Sequence, residues 1–333
     1  MSDVAILDLD ELQRRTAEAA APPPVEEGQT DDRYRYVRPF GQAADGLVEV
    51  FQNTEGRYMT GLPELDTKLR GIGRSELCII TGFAHSGKTQ VWLTSVLNNA
   101  GGKPILFFTL DETAELVLTK LACMKLGIDA DMMERQVKLG NQGLIDSLHR
   151  VAEEDFANLL VVDDSLDLDQ MTVALKEAED YFGEAVGAVG IDFLDLLRVP
   201  DEEGVEKKAQ ALKRWTKAAD VPVVCLHQNS RSNGAPGEEM TLTSMKYGGE
   251  AEANFVLGVR RLRDAQSLDS YERTAHENTI TVAVLKNKRP PSKKGEHHYH
   301  LDAATGLVRP LTEADNGAGL HGFMEVARDA FDH

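Results

Sequence analysis

The sequence predicts an α/β fold, a mostly parallel sheet with helices on both faces and an antiparallel edge. Three observations carry that reading. From Tyr58 onward, apolar runs alternate with segments of helical periodicity, as in successive βαβ units. One run, Leu77-Cys78-Ile79-Ile80, leads into a glycine loop, GFAHSGKT, which opens directly into a helical pattern. Three later strand-like runs follow with no helix between them, which extends such a sheet in antiparallel fashion at one edge.

Taken in order, residues 1–40 are an acidic, largely flexible segment. Asp8 to Ala21 has short-helix character that Pro22-Pro23-Pro24 ends. Arg33, Tyr34, Arg35, Tyr36, Arg38 and Phe40 then form a basic, aromatic patch, equally suited to lying on the main domain or to touching nucleic acid. In 41–56, Ala43, Ala44, Leu47, Val48 and Phe51 fall at helical spacing. This detached amphipathic helix needs a docking site, on its own domain or on a neighbouring subunit. The main domain spans 57–312. Its expected strands are 77–81, 104–110, 158–163, 186–192 and 221–227, with helices at 90–100, 113–127, 141–153, 168–182 and 204–219. The later strands are 254–261, 278–286 and 296–302. Residues 313–333 form an acidic tail with a short helical pattern from Phe323 to Phe331.

Composition narrows the class. A chain of 333 residues at 42% hydrophobic content can bury a large core, and it contains no apolar run long enough to span a bilayer. The expectation is a cytoplasmic protein with no membrane partner. Cys78, Cys123 and Cys225 lie in apolar segments without pairing or metal spacing, as core residues of a reducing compartment do. A net charge of −19 excludes indiscriminate nucleic-acid binding, so any such contact must use a local basic surface.

The glycine loop supplies the chemistry. Gly82, Phe83, Ala84, His85, Ser86, Gly87, Lys88, Thr89 and Gln90 form a phosphate cradle in which backbone N–H groups face an anion at a helix N-terminus. Lys88 reaches the β- and γ-phosphates, and the Thr89 hydroxyl ligates Mg²⁺. The cofactors expected are therefore ATP and Mg²⁺. A metal-side carboxylate must come from another strand tip. Asp192 is favoured, with Asp163 and Asp164 competing. Asp111 and Glu112, at the tip of strand 104–110, are placed to orient water, or merely to favour the start of the following helix, which Thr113 caps with Leu116 on the apolar face. Gln228 ends strand 221–227, where it can sense a γ-phosphate. The long polar loop 229–250 holds Arg231 and Lys246. In LKNKRPPSKKGEHHYH, Lys286 and Lys288 share one face, with Arg289 beside them, and a cation there can complete a neighbour's site. His297, His298 and His300 read as strand residues rather than metal ligands.

The ordered series TGLPELDTKLRGI, GFAHSGKT, FFTLDET, GIDFLDLL, VPVVCLHQNSR, GGEAEANFVLGVRR and ITVAVLKNKRPP resembles the RecA-like motor domain of DnaB-type replicative helicases, and more loosely RadA and KaiC-like ATPases. The likeness covers roughly 57–310. It implies a RecA-like P-loop ATPase core, a homo-oligomer, usually a hexameric ring, with ATP between subunits, and 5′-to-3′ movement on single-stranded DNA. It places Lys88 and Thr89 on phosphate and Mg²⁺, Asp192 on the metal, Gln228 as sensor, Lys286 and Lys288 on a trans-acting Lys-x-Arg pair, Arg231 and Lys246 toward DNA, and the 43–53 helix on the next subunit. Asp111 and Lys288 replace the family's Glu and Arg, which brings Glu112 and Arg289 into contention. Only an acidic segment stands where the family's primase-recruiting domain would be, so primase or loader contacts must differ. So compact a helicase suits a bacteriophage and thus the host cytoplasm. A recombination ATPase, a regulatory ATPase, and a nuclease built on Asp163, Asp164, Asp192 and Asp195 are the competing functions.

Overall fold

In the computed structural model the described residues are 40–52, 56–200, 204–229, 235–242 and 249–316. The expected helix at Asp8–Ala21, the patch from Arg33 to Arg38, Arg231, Lys246 and the helix at Phe323–Phe331 lie outside them. Residues Met1–Gln52 and Asn53–His333 are two separate compact units. Of the first, the described part is essentially helix α1, Gln42–Gln52, on which Leu47, Val48 and Phe51 are exposed.

The second unit is built on a nine-stranded sheet. Its strands are β1 Leu77–Gly82, β2 Ile105–Thr109, β3 Leu159–Val162, β4 Ala188–Asp192, β5 Val223–Gln228, β6 Phe255–Arg261, β7 Thr279–Asn287, β8 Gly295–Leu301 and β9 Val308–Pro310. Their spatial order is β3-β2-β4-β5-β1-β6-β7-β8-β9. The helices are α2 Pro63–Leu69, α3 Lys88–Asn98, α4 Ala114–Leu126, α5 Ala130–Lys138, α6 Gln142–Arg150, α7 Leu168–Phe182, α8 Val205–Ala219, α9 Ser270–Ala275 and α10 Glu313–Asn316.

Strand alternation explains why the sheet is covered on both sides. Cys78, Ile80 and Phe107 join the core beneath α3 and α4, whereas Leu77, Ile79, Leu106 and Phe108 join the core beneath α7 and α8. On the first side Trp92 of α3 packs between Tyr58 and Phe107, with ring centroids 5.8 and 5.7 Å away. Each such tilted pair adds about 1 kcal/mol beyond burial. Helix ends follow local chemistry. Thr113 caps α4 by accepting from Leu116 N, and Asp167 with Gln170 forms a capping box on α7.

Several expectations need correction. Strand 254–261 is expected in the antiparallel edge, but Phe255–Gly258 pair in parallel with Cys78–Thr81, so the antiparallel edge begins at β7. The connection before β7 contains α9, and the helix expected over 141–153 is α6 running into a π turn, Val151–Asp155, preceded by α5. Leu116 is exposed, because α4 buries Val117, Leu121 and Met124 at i, i+4 and i+7 instead.

Gly190 of β4 lies under the Trp92 ring. A Cβ there would overlap that ring and come within 2.9 Å of Phe107. Gly190→Ala is expected to destabilise the protein by about 2 kcal/mol or more, read from the urea midpoint at unchanged m-value.

Candidate functional site

All six parallel strands end on the same edge of the sheet, and that edge gathers the chemistry. The turn after β1 is held in shape by sterics. Gly87 has φ 97°, and a Cβ on Gly82 would collide with Ser86 Oγ and with the Val259 carbonyl. His85, at φ 61°, keeps a left-handed conformation at the exposed loop apex. Lys88 is 8% exposed and donates from Nζ to the carbonyls of Gly82 (3.0 Å) and Phe83 (2.8 Å). Ser86 Oγ is buried with no hydrogen-bond partner, an open polar atom inside the loop.

Asp192, the last residue of β4, is 6% exposed and accepts from Thr89 Oγ1 at 3.0 Å. Burial pushes its carboxyl up to about 6, with nearby Glu112 adding to the effect, while the Thr89 hydrogen bond, Lys88 and Lys120 pull it down. Burial likewise pushes Lys88 down to about 8, against the attraction of Asp192 and Asp195. The loop thus brings together an unsatisfied hydroxyl, a desolvated ammonium and a carboxylate joined to a hydroxyl. That donor set fits a polyphosphate and a hard dication, with Thr89 and Asp192 on the metal side.

At the tip of β2 the two acids part company. Asp111 is exposed. Glu112 is half-buried and ion-paired with Lys120 of α4. Lys120 is a site residue that sequence reasoning misses. Its only signal is that it sits eight residues after Glu112, two helical turns into α4. Asp163 accepts from Ala114 N at 3.0 Å and so serves the start of α4, while Asp192 meets Thr89. At the tip of β5, Gln228 is exposed and lies opposite Gly82 in the ladder. The adjoining Asn229 is buried. It donates from its backbone to Gly82 O at 3.0 Å, and its Oδ1 accepts from Thr81 Oγ1 at 2.6 Å.

The basic strand end lies elsewhere. Asn287 pairs with Phe255, which is in register with Cys78 at the end where the parallel strands begin, roughly 13 Å along β1 from Gly82 by strand rise. Lys286 and Lys288 do share a face, both directed at the Ala251 carbonyl, at 3.0 and 3.5 Å. Arg289 does not join them. Its guanidinium binds the Glu76 carboxylate and the carbonyls of Leu69, Arg70 and Gly71 and stacks 5.2 Å from the Phe255 ring. It is a clamp within its own chain, with its donors already engaged. His298 hydrogen-bonds Thr281 at 2.9 Å and His300 pairs with Asp315 at 3.1 Å, both from β8.

Residues 58–304 match the family model described as the DnaB-like helicase C-terminal domain. The chain belongs to that family. It is similar to the probable replicative DNA helicase of Trieres chinensis, 27% identical over 243 residues covering 69% of this chain and 52% of that one. The chain spans about half the length or less of the curated relatives it matches first. Among solved structures it resembles that of an ATPase domain, with TM-score 0.69 at 17% identity over 83% of this chain and 100% of that one. It also resembles a DnaB-like replicative helicase whose interactions with primase were determined, with TM-score 0.67 at 16% identity over 91% of this chain and 72% of that one. The fold of this DnaB-like domain is therefore that of a RecA-like ATPase. Among the described residues no helix is long and apolar enough to cross a membrane.

The burial of Asp192 has a measurable sign. A carboxyl held at about 6 when folded, against 3.8 in the ordinary case, costs the folded state its full penalty above pH 6 and nothing below pH 3.8. Asp192→Asn is expected to raise the stability of the nucleotide-free protein by roughly 3 kcal/mol at pH 7.5. The gain should fade as pH drops through 6 toward 4, seen in thermal melts across that range.

Proposed function

We propose that this domain is the ATP-driven motor of a replicative DNA helicase that works as a ring, usually of six subunits, on single-stranded DNA. The observation that carries it is the separation of two half-sites. The phosphate loop and its acids occupy one end of the sheet, and Lys286 and Lys288 occupy the other. Within one chain they cannot meet, whereas in a head-to-tail ring each subunit's lysines face the next subunit's loop.

In this reading Gly82 to Gln90 cradle the phosphates. Lys88 exchanges its two carbonyl partners for phosphate oxygens, and Thr89 with Asp192 holds Mg²⁺. The dication supplies charge neutralisation and keeps the phosphates in line. Glu112, aimed by its ion pair with Lys120, orients and deprotonates the attacking water, with exposed Asp111 as the alternative at the same strand tip. Gln228, beside Gly82, senses the γ-phosphate. Lys288, in place of the family's arginine, acts in trans with Lys286. Arg289 is left out of that role because its guanidinium is committed to Glu76 and three carbonyls. Arg231 and Lys246 would face DNA, and α1 would dock its apolar face on the next subunit. A primase or loader is a fitting partner, and the cytoplasm, of a bacterial host for a phage protein, is the fitting compartment.

Two measurements test this. On a forked duplex with a 5′ tail the protein should separate strands only with ATP, and Lys88→Ala should lower turnover by about 100-fold or more. When inactive Lys88→Ala and Lys288→Ala proteins are mixed equally, about a quarter of head-to-tail interfaces regain an intact loop facing an intact lysine, so ATPase activity should partly return. No recovery despite proven subunit exchange would mean a site complete in one chain.

A further inference from the structure

The β4–β5 ladder stops short. Its last pair is Ile191 with Cys225, after which β4 ends at Asp192 and the chain turns into a 3-10 helix, Leu194–Leu196. Strand β5 runs on through Leu226, His227 and Gln228, supported on its other side by Thr81 and Gly82 of β1. The end that carries Gln228 therefore lacks a strand neighbour on the β4 side, where backbone N–H groups would otherwise stand unpaired.

One side chain takes that place. Asp195, inside the 3-10 turn, accepts from His227 Nδ1 at 3.1 Å and from the backbone N–H of Gln228. His227 is buried, so its ring is held by this contact rather than by water. The turn itself is anchored from behind, because Lys208 of α8 donates to the Asp195 carbonyl. On the far side Asn229 ties the same strand end to Thr81 and Gly82 of the phosphate loop. The tips of β4, β5 and β1 are thus joined in sequence, Asp192 to Thr89, Asp195 to His227 and Gln228, and Asn229 to Thr81.

We propose that Asp195 and His227 form a positioning pair that fixes the tip of β5 and so holds Gln228 in place beside the phosphate loop. The inference rests on the motor reading above and adds two residues to it. Neither touches the nucleotide. Burial pushes the Asp195 carboxyl up, but the His227 hydrogen bond and charge and the Gln228 N–H carry it below the usual carboxylate range, so the acceptor stays ionised and available to both donors. A pair of this kind has a signature that mere packing lacks. Once Asp195 is gone, removal of His227 costs nothing further, whereas Asp195 keeps the Gln228 N–H when His227 alone is removed.

The test uses the full chain with Asp195→Ala, His227→Ala, the double variant, and His227→Asn, whose Nδ2 can stand where the ring Nδ1 stands. Two quantities are read, the affinity for a fluorescent non-hydrolysable ATP analogue and the turnover number at saturating ATP with and without oligothymidylate. Affinity should stay within about twofold while DNA-stimulated turnover falls about tenfold in Asp195→Ala and less in His227→Ala, and the double variant should fall no further than Asp195→Ala alone. His227→Asn should recover most of the loss. Additive losses, affinity and turnover falling together, unchanged turnover, or no recovery with asparagine would each overturn the pair. Turnover of the unsubstituted protein that ignores DNA would instead defeat the helicase reading, and the coupling between the two substitutions would still be decided from DNA-free turnover.

Discussion

The hydrogen bond from Thr89 to Asp192 is the contact on which the site depends. It joins the first turn of α3, which follows β1, to the last residue of β4, and β5 lies between β1 and β4 in the sheet. Helices α3 and α4 cover one face while α7 and α8 cover the other, so the contact spans the crevice where the chain changes sides. Open α/β sheets bind ligands at such crevices because loops from adjacent strands part there. The steric locks at Gly82 and Gly87 hold the loop so that Thr89 meets the carboxylate.

That geometry has an electrostatic cost. Lys88 and Asp192 are both desolvated, and each is shifted toward its neutral form. Their mutual attraction offsets only part of the penalty, as is usual for buried charges. A polyphosphate and a dication would supply the missing counter-charges. The site is therefore strained in its own electrostatics until a ligand of that chemistry arrives, which is the preorganisation that phosphoryl transfer uses.

The antiparallel return of β7 has the opposite consequence. By reversing direction it delivers Lys286 and Lys288 to the end of the sheet remote from the loop. The register shift between Val256 and Leu257 takes up one residue on β7, and both lysines then point at the Ala251 carbonyl. Arg289 beyond them grips Glu76, the residue just before β1, and so fixes the strand end that presents them.

The sequence by itself determined the alternation, the loop and the order of the strand tips, because period-2 and period-3.6 patterns and a glycine-lysine-threonine turn are local properties of the chain. It picked out Thr89 from the glycine-lysine-threonine loop, and Asp192 and Gln228 because each ends or follows an apolar run. It kept Arg289 among the candidate trans-acting cations, whereas its guanidinium is bound by carbonyls more than 200 residues away, and it passed over Lys120, the Asp195 partner of His227 and the short helix α2. It assigned 254–261 to the antiparallel edge, since an apolar strand reads the same in either direction. Those matters only the tertiary structure decided. Which of two acids meets a lysine, which cation is engaged within its own chain, and which strand runs parallel all depend on through-space partners that no local pattern encodes.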